Sequence, residues 1–313
     1  MHQLVQLLYK VLRPVVKPFV GTRKGQVLGK VPLVAGIYRW LFNLFTSEKY
    51  QPLLINGYKI YLHTGRYKGL RDTMAQALLF RGVHEPYTTL LFDKLVKERM
   101  TVVDIGANIG YFTLIAAGLV GEKGRVFAFE PEPQNYAVLV KNVAANGFNN
   151  VTTRCMAVSD TTGNAPMFID DEDSGSHSLV KTAQRCTRST MVDVTCLDDF
   201  ISDAGGTVDI VKIDAGGTEV SILSGMYNTI RANADLKIFT EFWLPGLESA
   251  GVTPQEYWDK LTQSGFNFIY LVNEDKQNIE LLGLEAILRY CQPTGSRPQN
   301  WANLLCAKSP ITV

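Results

Sequence analysis

The chain has 313 residues, 46% of them apolar, enough for one large core with attachments. A formal net charge of +1 excludes nucleic-acid binding driven by overall charge. Residues 1–47 hold seven basic and no acidic side chains, leaving 24 basic against 30 acidic ones beyond them, so a basic arm precedes an acidic body.

Taken in order, residues 1–50 read as a basic, apolar helical arm. Pro14, Pro18, Arg23, Lys24 and Arg39 interrupt each apolar stretch before it reaches the roughly 18 uncharged residues of a membrane span. The stretch 1–47 suits a peripheral membrane contact, with Lys and Arg at the headgroups and Trp40 and Phe42 beneath. A helical cap on the body, or a partner-binding arm, is the competing reading. No signal peptide is visible. Cys155, Cys186, Cys196, Cys291 and Cys306 are odd in number and lack a C-x-x-C pair. Neither a zinc site nor a disulfide framework is expected, and a cytoplasmic location fits best.

Residues 51–100 lead into the core. The run 53–62 predicts a hairpin through Asn56-Gly57, a helical stretch covers 70–80 and stops near Arg81-Gly82, and a helix covers 86–97. Residues 101–313 predict strands over 102–105, 125–129, 151–155, 208–213, 236–242 and 266–272, with a late one near 303–307. Helices alternate with them over 111–119, 134–146 and 218–231. Another starts at Thr253-Pro254-Gln255-Glu256, a capping box with proline at its first helical position. The alternation predicts an α/β fold, a mostly parallel sheet with helices on both faces. A β insertion interrupts it at 160–199. There two β-like runs, 165–169 and 191–195, flank a polar, lid-like loop over 170–189, and loops this long in a compact domain are functional or disordered.

The segment Val102-Val103-Asp104-Ile105-Gly106-Ala107-Asn108-Ile109-Gly110-Tyr111 carries the first chemistry. Gly106 and Gly110 allow a sharp turn and close approach to a ligand, Asn108 offers an amide, and Asp104 can hold a cationic amine. Glu130, before Pro131 at the next strand end, is placed to accept hydrogen bonds from both hydroxyls of a ribose. A dinucleotide site uses the same second acid but requires G-x-G-x-x-G. Here G-A-N-I-G lacks the middle glycine, and Asp104 would repel a pyrophosphate. An acid before the turn suits S-adenosylmethionine, which carries a sulfonium and an ammonium. Ala107 and Tyr111 of this turn, Pro131 after Glu130, and Ala157 after the third strand are further candidate cofactor contacts. Glu85 is a further cofactor candidate, with capping of the helix over 86–97 as its alternative role.

Taken together, these segments resemble the FkbM family of S-adenosylmethionine-dependent methyltransferases. The resemblance runs from about Arg81 to Lys308. It includes Gly82-Val83-His84-Glu85-Pro86, the Asp104 turn, Val126-Phe127-Ala128-Phe129-Glu130-Pro131, Asn142-Val143-Ala144-Ala145-Asn146-Gly147 and Ala157-Val158-Ser159. Further on it includes Val194-Thr195-Cys196-Leu197-Asp198-Asp199-Phe200, Ile210-Val211-Lys212-Ile213-Asp214, Glu219 and Thr240-Glu241-Phe242. The resemblance implies a Rossmann-like, class I methyltransferase sheet of seven strands, the last antiparallel. It also implies O-methylation of a sugar hydroxyl in a glycolipid, polysaccharide or natural product. One position departs: where the family reads I-D-x-E-G or I-D-x-Q-G, this chain has Ile213-Asp214-Ala215-Gly216-Gly217. No role carries over to Gly216.

Methyl transfer to an alcohol gains from a base that takes the hydroxyl proton. Asp214, at the end of the fourth strand, is a candidate base as well as a cofactor contact, and Glu241 ends the fifth strand in the same crevice. His177 is the histidine of the lid-like loop and could accept the proton, although loop histidines are often only solvated. Glu219 opens a helix, where a favourable charge is an equally good account. Lys181, Arg185 and Arg188 could meet a phosphate or carboxylate on the acceptor. Asp214 with Glu219 or Glu241 could offer oxygen ligands to Mg²⁺, but no His/Cys cluster exists and no required metal is expected. The leading reading is an O-methyltransferase for a small-molecule or lipid-linked sugar acceptor. The alternatives are N-methylation of a peptide or amino sugar, and a non-catalytic cofactor-binding scaffold.

Overall fold

The computed structural model describes residues 52–62, 73–171, 173–181, 186–204, 206–293 and 300–312. The basic arm with its expected membrane contact, and Arg185, lie outside them. The described part begins with a hairpin, β1 (Leu53–Ile55) and β2 (Tyr58–Ile60), turned through Asn56 and Gly57 at φ 50° and 85° as an Asn-Gly pair favours. Helix α1 (Thr73–Gln76) runs on as a π-helical turn, Ala77–Arg81, and Gly82 stops it; α2 is Pro86–Leu95. Two βα units follow as expected: β3 (Thr101–Ile105), α3 (Tyr111–Val120), β4 (Arg125–Phe129) and α4 (Pro133–Ala145), then β5 (Val151–Arg154).

The insertion differs from the sequence reading. β6 (Ala157–Ser159), β7 (Gly163–Asp170) and β8 (Cys186–Cys196) form a separate three-stranded sheet, with β8 parallel to β6 and antiparallel to β7. The loop expected over 170–189 is shorter, because β8 already pairs from Cys186. Next come α5 (Leu197–Ala204), β9 (Ile210–Ile213), α6 (Glu219–Gly225) and α7 (Tyr227–Ala232). The single helix expected over 218–231 is divided at Met226, whose φ of −120° leaves the helical range. The chain continues through β10 (Lys237–Trp243), α8 (Leu244–Ser249), α9 (Pro254–Gln263), β11 (Phe268–Asn273), β12 (Asn278–Leu281), α10 (Leu284–Tyr290) and β13 (Trp301–Ala307). Thr253 and Glu256 form the expected capping box at α9. No helix of the described residues is long and apolar enough to cross a membrane.

The central sheet has the order β12-β11-β13-β10-β9-β3-β4-β5. Strands β10, β9, β3, β4 and β5 are parallel, and β13 is antiparallel to both β10 and β11. Seven of these strands are the expected ones. The eighth, β12, is an addition at the edge, a short partly exposed run hairpinned onto β11.

Successive side chains point to opposite faces of a strand, so a row along one face skips every second residue. Val102, Val126, Ile210, Phe239, Val272 and Leu305 face a core covered by the hairpin, α1, α2 and α3. Val103, Phe127, Val211, Ile238, Leu271 and Leu304 face a second core with α6, α7, α9 and α10. On the first face the rows change character at one end of the sheet. They continue as Asp104, Glu130, Lys212 and Asp214, Glu241 and Trp243, Glu274, and, on antiparallel β13, Asn303 and Trp301. All nine line one cavity of about 740 Å³.

Candidate active site

The turn after β3 crosses the end of β4. Gly106 and Ala107 both donate their N–H to the Phe129 carbonyl at 3.0 Å, and the Asn108 N–H donates to Glu130 Oε2 at 2.8 Å. These amides are spent within the protein, which leaves the turn poorly suited to cradle a pyrophosphate. At Gly106, φ is +77°, and a Cβ would stand 1.9 Å from the Asp214 carbonyl oxygen. Only glycine fits there, because β9 ends against the turn.

Glu130 is 5% exposed; its Oε1 also accepts from the Glu132 N–H at 2.9 Å. Burial pushes its carboxyl up to about 7, against the lowering effect of these donors. Asp104 is buried too, and its Oδ2 accepts from Thr113 Oγ1 at 2.6 Å. Burial raises its proton affinity while Lys212 opposes the shift. Asn108 is 5% exposed, and its Oδ1 has no hydrogen-bond partner. Such an orphaned acceptor in a cavity wall is what a ligand carrying N–H or O–H groups would satisfy.

Pro131, Ala107 and Ala157 line the same end of the cavity. Gly110 and Tyr111, expected at the cofactor, are not part of its wall. Gly110 turns the chain into α3, and the Tyr111 hydroxyl, 1% exposed as a residue, accepts from Asn56 Nδ2 at 3.1 Å and lies 3.3 Å from Thr89 Oγ1. Tyr111 thus ties the hairpin to α2 beneath the site.

Lys212, which sequence reasoning left without a role, is the cation at the centre. It is 6% exposed, bonds Asp214 Oδ2 at 3.0 Å and lies over the Phe112 ring at 4.7 Å. The neighbouring carboxylates raise its affinity for its proton despite burial, Asp214 most of all, then Glu85 and Asp104. Glu85 does not cap α2. Its backbone is left-handed at φ 43°, its side chain makes no cap hydrogen bond, and it lines the cavity. Glu274 at the end of β11 caps α2 instead, accepting from the Tyr87 and Thr88 N–H groups at 2.8 and 2.9 Å. Sequence alone offered no signal for that contact, 187 residues apart.

Glu241 sits one position beyond the last register pair of β10 with β9, Thr240–Ile213, and so beside Asp214. It is partly open to the cavity, and its carboxyl is pushed well above the ordinary carboxylate range by burial and by Asp214, Glu219 and Glu85. Glu219 lies outside the cavity wall. It is fully buried, its Oε1 accepts from the Gly217 N–H at 3.1 Å, its Oε2 has no partner, and burial pushes its carboxyl up to about 7. Among the described residues no group of three or more His, Cys, Asp or Glu side chains could hold a metal ion.

The segment 173–178 lines the cavity. The Ser174 carbonyl accepts from Asn108 Nδ2 at 2.9 Å and Asn135 Nδ2 at 3.0 Å. Ser178 pairs with Phe168 of β7, and its Oγ donates to the Gly216 carbonyl at 2.7 Å. Gly216 has φ +62°, and a Cβ there would meet Ser178 Cβ at 3.1 Å and the His177 carbonyl oxygen at 3.3 Å. The space beside the position where the family pattern has Glu or Gln is therefore filled by this segment. His177 lines the cavity, but its Nδ1 accepts from the Asp170 N–H at 3.2 Å. That bond puts the neutral ring's proton on Nε2, which makes His177 a donor there and opposes the expected role as base. Lys181 is exposed, and Arg188 is exposed and paired with Asp171, so neither joins the cavity wall.

The strand order and the acids at adjacent strand ends define a Rossmann-like methyltransferase fold. A family model described as "Methyltransferase FkbM domain" matches residues 104–268, more than half of the chain. The chain belongs to the FkbM methyltransferases, enzymes that use S-adenosylmethionine. "Methyltransferase sdnD" of Sordaria araneosa is 27% identical over 188 residues, 49% of this chain and 69% of that protein. A "Protein-L-isoaspartate O-methyltransferase" of Methanococcoides burtonii is 32% identical over 72 residues, 22% of this chain and 36% of that protein. Among solved structures, a putative rRNA methylase from Clostridium thermocellum is similar at a TM-score of 0.42 and 16% identity, over 71% of this chain and 93% of that one.

Proposed function

We propose that the chain methylates a hydroxyl oxygen of a small-molecule acceptor, a sugar or glycolipid, with Glu241 as general base. The observation that carries this reading is the carboxyl of Glu241, open to the cavity beside Asp214 and held well above the ordinary carboxylate range. An alcohol is a poor nucleophile until its proton has somewhere to go, and a carboxylate with raised proton affinity is the better acceptor for it.

The residues present fit the cofactor. Glu130 would take the ribose hydroxyls, and Asn108 Oδ1 offers the buried acceptor that lacks a partner. The excess of carboxylates around Lys212 favours a cationic ligand, with Glu85 and Asp104 on the amino group. When bound, S-adenosylmethionine supplies an electrophilic methyl group. Lys212 holds Asp214 in place, which suits Asp214 to orient the acceptor rather than to take its proton. The segment 173–178 lines one side of the cavity.

Transfer of labelled methyl groups to a panel of hydroxylated and amine acceptors tests the proposal. Glu241→Gln is expected to retain cofactor binding and to lose about 10²–10⁴-fold in turnover on alcohols. Label found only on amines, or unchanged turnover in the variant, would overturn it.

A further inference from the structure

Two of the four tryptophans of the chain lie side by side at the acceptor end of the cavity. Trp243 of β10 is the direct cross-strand partner of Trp301 of β13, and two residues deeper Glu241 is the partner of Asn303. The period of two puts all four side chains on the face of Phe239 and Leu305, and directly opposed side chains start about 5 Å apart. With strands about 4.8 Å apart, the pair stands roughly 10–15 Å along the sheet from Asp104, on the far side of Glu241 from the cofactor turn.

Both indoles are partly exposed, and Trp243 is braced from behind by Gly246, where a Cβ would stand 2.3 Å from its ring. Among the described residues neither ring stacks on another ring, and neither indole N–H has a hydrogen-bond acceptor. Two adjacent indoles with unspent donors, above a carboxylate and an amide, form a surface that is apolar in its plane and polar at its rim.

A pyranose ring has the matching chemistry. Its axial C–H groups form an apolar face that meets the negative face of an indole, and its hydroxyls radiate outward to donors and acceptors. A flat phenolic acceptor would use the indoles but offer a single hydroxyl to be shared between Glu241 and Asn303 Oδ1, the Asn303 Nδ2 already donating to Thr88 Oγ1 at 3.1 Å, and an anionic acceptor would meet the acids around Lys212. We propose that Trp243 and Trp301 are the stacking platform for a neutral hexopyranose, with Asn303 and Glu241 binding its hydroxyls. This deepens the proposed O-methylation and rests on it for the acceptor class, but it is a claim about binding and is tested by binding.

The experiment titrates the full chain, saturated with S-adenosylhomocysteine, with a panel of neutral methyl hexopyranosides, and follows tryptophan fluorescence. Saturable quenching by at least one sugar is expected. Trp301→Ala and Trp243→Ala should each raise its half-saturating concentration at least tenfold, while Trp301→Phe changes it less than threefold. Thermal stabilisation by S-adenosylhomocysteine should be unchanged in each variant, which separates loss of the platform from loss of the fold. No binding of any sugar, tighter binding of phenols than of sugars, or alanine variants that bind sugar like the wild type would each overturn the platform. Sugar binding that depends on both tryptophans, without methyl transfer to any hydroxyl, would uphold the platform and reject the O-methylation.

Discussion

Glu130 and Glu241 are both carboxyls whose protons are held by burial, and the proposed function gives them opposite ends of the cavity. In its proposed role Glu130 binds the ribose hydroxyls in its ionised form, and that form is populated only as pH rises through about 7. Affinity for S-adenosylhomocysteine should therefore weaken as pH falls from 8 to 6, by up to about tenfold per pH unit below that value. Glu130→Ala should weaken binding more than tenfold at pH 8, because charge-assisted hydrogen bonds are lost, and should flatten the pH profile. Isothermal titration calorimetry at several pH values checks both. At Glu241, the base form likewise appears only above its raised value, so turnover should climb with pH beyond the ordinary carboxylate range. Stopped or steady-state rates against pH, with cofactor saturating, read that profile.

At the scale of elements, the segment 173–178 and the turn at Gly216 behave as a pair. The segment is joined to the cofactor turn through Ser174 and to the end of β9 through Ser178. Gly216→Gln restores the side chain type of the family pattern but places it at φ +62°, at a cost of about 1–2 kcal/mol, against Ser178. The variant is expected to loosen the segment and speed hydrogen exchange at the Phe168 and Ser178 amides, which pair with one another. Unchanged protection would show that the contact does not hold the segment. The departure at Gly216 was visible in the chain, but the group that fills the space comes from 38 residues away. Local spacing carries no record of such an approach. The split of the helix over 218–231 was hidden for a similar reason, since propensity ran straight through Met226.

For the molecule as a whole, Glu130 and Glu219 are protonated in the fold at pH values where the unfolded chain has released those protons. The unfolded state then binds fewer protons, so stability falls as pH rises from about 4.5 toward 7. The ligand-free chain should melt lower at pH 7.5 than at pH 5.5, and Glu219→Gln should reduce that difference; calorimetric melting at both values measures it. S-adenosylhomocysteine at about 100 times its Kd should add about 2.7 kcal/mol.

Apolar periodicity, the Asn56-Gly57 turn, the Asp104–Gly110 turn and the Thr253 capping box sufficed to read the α/β class, seven strands of the sheet and the acids at the strand ends that line the cavity. Each is a local pattern, set by backbone geometry and the period of side chains. The row of polar residues that ends each strand on one face was legible in principle, as a period-two continuation of Val102, Ile210, Phe239 and Leu305. Strand order alone puts Lys212, Asn303 and the two tryptophans in one wall, because neighbours in the sheet are remote along the chain. The proton affinity of Glu241 depends on folding in the same way, since burial and the charges of Asp214, Glu219 and Glu85 act through space.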